Sequence, residues 1–392
     1  MAITITDTPP LINAAYRPIE FTATSNDGDI VRMIADVYVN GAYEMAMEEE
    51  VNINTTNEFT FDVSEISRNA MNINTLLNTT LDFSDNITAF SLYNSSVLAM
   101  VALQVRLFEV VDTTAGTLFT TWDENGTGTG STNSGLVYAL NATLQHDETQ
   151  NLDAYSVDTS AKLFLTKKPR TEFKITRDTN IQLDFIMESV ASIKARIAYL
   201  DDNDTPLSTT TSATELITVY KSRVLIHGAS FPTDATHAKV FLLTSGNAAL
   251  SEQIDIRIID PCEYTLLVWQ NVLGGYDYWY FEGNRVEVIN SKSNTFTKPL
   301  RSVFNVKDRG EQILSIDSNK IVTVTTDNIH PDTLEYLLEL NTHGLNAFVY
   351  DGSQYLPIII EDAKKTFKND FDKVLQFEVT FSYANKKIAQ RQ

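Results

Sequence analysis

Alternating apolar and polar positions dominate this chain. A period of two places every second side chain on the same face of a strand, so each such run predicts a β-strand with one buried face. The clearest runs lie at residues 59–63, 101–107, 193–197, 254–258 and 375–381. Turn dipeptides punctuate the chain between such runs, namely Asp27-Gly28, Asn40-Gly41, Asn125-Gly126 and Asp351-Gly352. The pattern therefore predicts a mainly β protein.

One clear helix is predicted after residue 330. Its signals are a proline at the first helical position, an acidic neighbour, an apolar stripe and a glycine stop: Pro331, Asp332, Leu334, Leu337, Leu338 and Gly344. Residues 64–78 predict a second, weaker helix.

Residues 266–282 are the most informative stretch. An apolar run, the pair Gly274-Gly275 and a run of aromatic residues together predict a β-hairpin. Its large aromatic side chains suit a packed core. The alternative is an exposed platform that binds a glycan or forms a protein interface, and its candidate residues are Trp269, Tyr276, Trp279 and Tyr280.

The chain has 392 residues, which is too long for one ordinary core. A basic, proline-bearing stretch at 166–171 and a break at Asp260-Pro261 suggest two boundaries. We therefore expect domains at 1–165, 166–262 and 263–392. The first two are predicted to be tandem β-sandwich-like domains, and the third an aromatic hairpin followed by an α+β module.

Charge is distributed unevenly along the chain. The net charge is −21, and residues 1–165 hold 22 acidic and 5 basic residues, a net of −17. Residues 364–391, by contrast, contain six lysines and one arginine. An acidic chain repels phosphate backbones, so sequence-specific nucleic-acid binding is not expected. The acidic and basic regions could meet in neighbouring copies.

Targeting and redox signals are sparse. The N-terminus lacks the basic start and apolar core of a secretion signal. No run of about 18 apolar residues is present, so no membrane partner is expected. The single cysteine, Cys262, excludes an intramolecular disulfide, and we expect it to be a buried, inert thiol.

Residue patterns for chemistry are weak. No histidine pair has metal-ligand spacing, and residues 126–135 lack the lysine of a phosphate-binding loop. The acidic run at 201–204 lacks calcium-loop spacing and predicts a solvated turn. We therefore expect no catalytic residues, no cofactor and no metal. An enzymatic alternative would pair Asp277 and Glu282 as the two carboxylates of a polysaccharide-cleaving site.

Several short motifs, taken in order, resemble virion proteins of tailed phages that infect Bacteroidetes hosts, the crAss-like phages among them. They are YRPIEF at 16–21, IADVYVNG at 34–41, FTFDVS at 59–64, VRLFE at 105–109, YALNA at 138–142, FLTKKPR at 164–170 and LGGYD at 273–277. Residues 301–392 more weakly resemble small α+β modules of phage tail proteins.

The resemblance implies a structural tail or tail-ring protein built of β-sandwich domains, without catalysis. Its expected partners are other virion tail proteins and copies of itself in a ring. Its expected location is the virion tail, after synthesis in the host cytoplasm. Two alternatives stay open from the residues: a receptor- or glycan-binding tail module, and a polysaccharide-cleaving tail enzyme.

Overall fold

The computed structural model describes most of the chain. The described residues are 3–51, 57–71, 90–94, 100–112, 118–120, 132–143, 152–157, 163–187, 191–212, 214–217, 221–297, 311–340, 346–352, 354–366, 375–384 and 388–391. Some predictions lie outside them: loop residues 126–131, helix residues 72–78, the stop at Gly344, and the lysines at 368, 373, 386 and 387. The side chains of Lys364, Lys365 and Arg391 are likewise not described.

Strands account for most of the described residues. Within 1–165 they are β1 (Ile3–Asp7), β2 (Ile12–Ala14), β3 (Glu20–Ser25), β4 (Ile30–Val39), β5 (Ala42–Glu50), β6 (Glu58–Asp62), β7 (Phe90–Asn94), β8 (Met100–Asp112), β9 (Leu118–Thr120), β10 (Thr132–Asn133), β11 (Val137–Leu140) and β12 (Ser156–Val157).

The strands of residues 166–262 are β13 (Lys174–Ile175), β14 (Asn180–Met187), β15 (Ala191–Leu200), β16 (Pro206–Thr211), β17 (Glu215–Ile217), β18 (Lys221–His227), β19 (His237–Thr244) and β20 (Ile254–Ile258). Those of residues 263–392 are β21 (Thr265–Gln270), β22 (Tyr276–Phe281), β23 (Arg285–Thr297), β24 (Glu311–Thr325), β25 (Ala347–Tyr350), β26 (Tyr355–Thr366), β27 (Gln376–Tyr383) and β28 (Ile388–Arg391). The α-helices are α1 (Ser64–Ala70) and α2 (Pro331–Leu337).

These strands form five sheets within the described residues. Their orders are β1-β3-β6; β2-β11-β8-β4-β5 with β9 and β10 on β8; β12-β14-β18-β7; β13-β20-β19-β15-β16 with β17 on β15; and β22-β21-β25-β26-β27-β24-β23 with β28 on β24. Four of these sheets each lie within one predicted segment, whereas the β12-β14-β18-β7 sheet joins strands of 1–165 and 166–262. The three-domain division stays a prediction.

The strand and helix predictions are confirmed where residues are described. All five alternating runs lie in strands, and in β15 the apolar residues Ile193, Ala195 and Ile197 are buried while the alternating lysine and arginine are half-buried. Asn40 and Gly41 both have positive φ, which the tight turn between β4 and β5 requires. The fold is therefore mainly β, as the alternation predicts. None of the described helices is long and apolar enough to cross a membrane.

One expectation about burial is wrong. Cys262 is exposed, because it occupies a bend before β21 begins rather than the strand itself. Lys168, in the basic stretch that suggests a domain boundary, is only 2% exposed. Its ammonium group donates a hydrogen bond inside the protein, to the carbonyl oxygen of Tyr278.

Three large apolar cores occur among the described residues, and two of them include opposite faces of the hairpin β21–β22. One core lies between β1-β3-β6 and the β4-β8 sheet, with Phe21, Phe59 and Val105 fully buried. A second contains residues of β14, β15, β18, β19 and β20 together with one face of the hairpin. A third packs the opposite face against α2, β24 and β27.

The turn of this hairpin reaches the first segment. Val272 and Leu273 pack in a cluster with Ile12, Leu140 and Leu165. The backbone N–H of Thr143 also donates to the carbonyl oxygen of Val272, at 2.8 Å. Because Ile186 belongs to the same cluster, this one tight turn touches residues from all three predicted segments.

We expect Gly275→Ala to destabilise the fold by about 1–3 kcal/mol. A Cβ at residue 275 would overlap the backbone oxygen of Leu165, which cannot move without disturbing the cluster around the turn. Gly28→Ala is the matched control, because a Cβ there meets nothing within 4 Å. Urea unfolding of both variants measures the difference, and equal midpoints would contradict this account of the turn.

Candidate functional site

The hairpin β21–β22 owes its shape to Asn271 as well as to its glycines. The Asn271 side-chain oxygen accepts the N–H groups of Leu273 and Gly275 at 3.0 and 2.9 Å, and its amide donates to the carbonyl of Leu165 at 2.8 Å. The sequence reading missed this residue. An asparagine two residues before Leu273 is the available signal, since such side chains cap turns.

The two faces of the hairpin enter different cores. In the register, Leu266 pairs with Tyr280 and Val268 with Tyr278, so these side chains share one face. They enter the core that contains residues of β14, β15, β18, β19 and β20. The opposite face presents Leu267, Trp269, Trp279 and Phe281 to α2 and its neighbouring strands. Trp269 and Trp279 both lie near Tyr336, with ring centroids 5.9 and 6.3 Å away.

All four predicted platform residues are buried. Trp269 is fully buried, and Tyr276, Trp279 and Tyr280 are 3–4% exposed. They also divide between the faces, with the tyrosines in one core and the tryptophans in the other. They do not form one open surface in this fold, and their burial favours the structural interpretation of the hairpin.

Strand β22 is the terminal strand of its sheet, and polar side chains close its outer edge. Lys168 donates from Nζ to the carbonyl oxygen of Tyr278 at 2.7 Å. The backbone N–H of Tyr276 donates to Asp184 Oδ2, also at 2.7 Å. Covering an edge in this way prevents another strand from pairing there.

Lys168 is enclosed by aromatic rings as well as by this hydrogen bond. Its Nζ is 3.5 Å from the Tyr278 ring centroid and 5.3 Å from those of Phe173 and Trp279. Burial lowers the pKa of Lys168 to about 7, although nearby Asp277 and Glu172 oppose the shift and Lys174 adds to it. Burial raises the pKa of Asp277, with hydrogen bonding and Lys168 acting in the opposite direction.

A second buried lysine holds the turn. Lys221 donates from Nζ to the carbonyl oxygen of Gly274 and lies 5.7 Å from the Tyr276 ring centroid. Burial lowers its pKa, and the Asp184 carboxylate partly offsets this effect. The turn and β22 are thus each held by one lysine beside one aspartate.

Hydroxyl groups form a network beside the face of the hairpin that carries Tyr278 and Tyr280. The Tyr280 hydroxyl lies 2.6 Å from Thr179 Oγ1, and the Tyr264 hydroxyl donates to Asp178 Oδ2 at 2.7 Å. Tyr350 donates to the backbone oxygen of Asp178 at 3.3 Å. These bonds connect residues 176–180 to the sheet of residues 263–392.

The carboxylates of the enzymatic alternative are not arranged as a pair. Asp277 is buried on the tryptophan face, while Glu282 follows the end of β22 and lies 3.6 Å from Lys174 Nζ. Five residues of extended chain span about 17 Å, and an odd separation points the side chains to opposite faces. A glycosidase needs its two carboxylates about 5–10 Å apart.

The acidic turn at 201–204 satisfies its own backbone. Asp201 Oδ1 accepts the N–H groups of Asn203 and Thr205 at 2.9 and 2.8 Å. Asp204 Oδ1 lies 2.9 Å from His237 Nε2. Among the described residues, no group of three or more histidine, cysteine, aspartate or glutamate side chains could hold a metal ion.

The hairpin β23–β24 contrasts with the buried one. Every residue of β23 is exposed, and Ile289 is 68% exposed. The large apolar side chains exposed on the two strands are Val286, Val288, Ile289, Phe296, Ile313 and Leu314. Protein-contact sites are among the places where proteins expose apolar side chains together.

Comparisons with known proteins add little. No protein-family model matches the chain, and no curated protein matches it. Among solved structures, chains from the tail of an empty gene transfer agent particle and from the virion of the native gene transfer agent particle are 13% identical. Each alignment covers 32% of this chain and 95% of that chain with a TM-score of 0.21, which does not establish a shared fold.

We expect Trp279→Ala to cost about 3–5 kcal/mol of stability, because its buried ring contacts would be replaced by a cavity. Phe296→Ala, at an exposed aromatic position, should change stability by less than about 0.5 kcal/mol. Thermal and urea unfolding measure both. A Trp279→Ala protein with wild-type melting that had lost binding to glycans or cells would instead support the platform alternative.

Lys168 should make stability depend on pH. Its pKa is about 7 in the fold and 10.5 in an ordinary exposed lysine, so the unfolded chain binds more protons between these values. Stability should therefore rise as pH increases from 7 towards 10. Lys168→Met should flatten this rise, whereas Lys292→Met, at an exposed lysine, should retain it. Unfolding midpoints measured at pH 7, 8 and 9 test this, and parallel curves for both variants would contradict it.

Proposed function

We propose that this chain is a structural component of a phage virion tail, where it assembles through protein–protein contacts as a ring or adaptor protein. The observation that carries the assembly part is β23, a strand of thirteen residues exposed at every position and rich in apolar side chains. The ordered motifs at 16–21, 34–41 and 59–64 support the virion part through their resemblance to tail proteins.

The inner architecture supports the same proposal. The aromatic residues that could present a glycan platform fill two cores. Of the two carboxylates of the enzymatic alternative, Asp277 is buried and Glu282 lies beside Lys174. The proposed partners are other tail proteins and further copies of the chain. In this proposal the chain binds and transmits load, and it has no catalytic role.

A rigid body suits such a role. The hairpin β21–β22 is shared between cores, so its neighbours cannot move independently without exposing Trp269 or Tyr280 to water. Burying such side chains stabilises the joint by roughly 2–3 kcal/mol each. A tail component must keep its shape while neighbours attach to it.

Complementation in a phage that encodes this chain tests the proposal. The wild-type chain should be present in purified particles, and gold-labelled antibody should locate it on the tail. Ile289→Asp should reduce its incorporation about tenfold or more, because burying one large apolar side chain contributes about 1.5–3 kcal/mol. Melting should not change, since Ile289 has few contacts to lose.

Leu207→Asp is the matched control. Leu207, like Ile289, is an exposed apolar residue on a strand and has the same size. It lies on β16, which belongs to a different sheet. Incorporation of this variant should equal that of the wild type. Absence of the wild-type chain from purified particles would refute the virion role, and normal incorporation of Ile289→Asp would refute the role of β23.

A further inference from the structure

The open edge of β23 is long and accessible. This strand pairs on one side with β24, from Arg285 opposite Val324 to Thr297 opposite Glu311, and is the last strand in its sheet. Thirteen residues of strand span about 44 Å. Sheet edges are usually shortened, covered or interrupted by proline. This edge contains no proline, and among the described residues no strand or side chain covers it as Lys168 and Asp184 cover β22.

A second open edge lies within residues 1–165. Strand β5 is the last strand of the sheet β2-β11-β8-β4-β5 and has nine residues. Tyr43 and Met45 are exposed on it by 42% and 44%. It also carries four glutamates, of which Glu44, Glu48 and Glu50 are exposed. Glu48 pairs with Arg32 at 2.8 Å, and Glu49 accepts the backbone N–H of Thr60.

Charge decides which edges can meet. Two β5 strands would place four glutamates against four glutamates, and like charges across a strand pair are destabilising. Strand β23 carries Arg285, Lys292 and Glu287. Glu287 lies 2.6 Å from Arg285 and 2.8 Å from Lys320, so Glu287 and Arg285 offset each other and Lys292 gives the strand its net positive charge. Of these two edges, β23 is therefore the one that does not repel a glutamate-rich strand.

We infer that β23 of one copy pairs edge to edge with β5 of the next copy, so that copies join head to tail through two different surfaces. This inference rests on the proposed function, in which the chain acts by contact with its own copies. Main-chain hydrogen bonds along as many as nine residues would hold the joint, as in other cases of strand addition. The exposed apolar side chains of both strands are covered in it.

Head-to-tail contact has a structural consequence. Because the two surfaces differ, a row of joined copies keeps one open β5 at one end and one open β23 at the other, and the assembly either closes as a ring or continues as a filament. The lysines and glutamates at the joint fix its register and its rate of formation more than its affinity. Association should accordingly weaken as salt rises.

Charge exchange tests the pairing directly. One variant reverses β5 with Glu44→Lys and Glu50→Lys, and a second reverses β23 with Asn290→Glu and Lys292→Glu. A third carries all four substitutions. All are made with Cys262→Ser, because that exposed thiol could form disulfides between copies. Sedimentation velocity over a range of concentrations at low salt measures association, and thermal melting checks that each variant is folded.

We expect the parent protein to associate with rising concentration, and each single-edge variant to do so at least tenfold more weakly. The four-substitution chain should recover association, because the two lysines on β5 can then pair with the two new glutamates on β23. A parent that stays monomeric at every concentration would overturn the inference while leaving the virion role to be judged from particles. Wild-type association of the β5 variant alone would also overturn it, and would indicate a symmetric contact through β23.

Discussion

The burial of one hairpin on both faces is the constraint on which the rest of this structure depends. A sheet normally presents one face to its own core, yet β21–β22 gives Tyr278 and Tyr280 to one core and Trp269 and Trp279 to another. Its turn enters a third apolar cluster with Leu140 and Leu165. Loss of this hairpin would expose all three clusters together, so the parts of the chain that surround it cannot be stable in their observed arrangement without it.

Such a position creates a problem at the strand edge. The outward backbone groups of β22 are buried, and a buried group without a hydrogen bond costs about 1–3 kcal/mol. Side chains from residues 166–262 supply the bonds, through Lys168 to the Tyr278 carbonyl and Asp184 to the Tyr276 amide. Burying a lysine is costly in turn, which is why its pKa falls. The aromatic rings around its ammonium offset part of this cost.

The sequence was sufficient for features that depend on local pattern. Alternation predicted strands such as β15 and β27, Pro331 predicted the start of α2, and the pair Gly274-Gly275 predicted the turn of the buried hairpin. These depend on backbone preferences and on one buried face, both of which are visible in a few residues.

Features that depend on distant partners were not predictable. Lys168 reads as part of a basic linker, because nothing nearby in sequence shows that Tyr278 will supply an acceptor 110 residues away. Cys262 reads as buried because it precedes an apolar strand, but a bend separates the two. Likewise, the aromatic run favours a packed core but leaves a platform open as an alternative until its neighbours are known. In β23, Val286 and Val288 alternate with charged residues as in a half-buried strand, yet every residue of the strand is exposed.

The two hairpins of residues 263–392 show the same physics with opposite outcomes. At β22, an edge is closed by charged side chains brought from elsewhere in the chain, and its apolar residues are covered by the chain itself. At β23, the edge and the side chains of Val288 and Ile289 are left open. In a chain with a net charge of −21, general self-repulsion opposes association. The balanced charges of β23–β24, which has three cations and three anions among its strand residues, make this hairpin a place where a second acidic copy can approach without that penalty. The covered hairpin β21–β22 thus connects the cores inside one copy of the chain. The uncovered hairpin β23–β24 is available for contact with another copy.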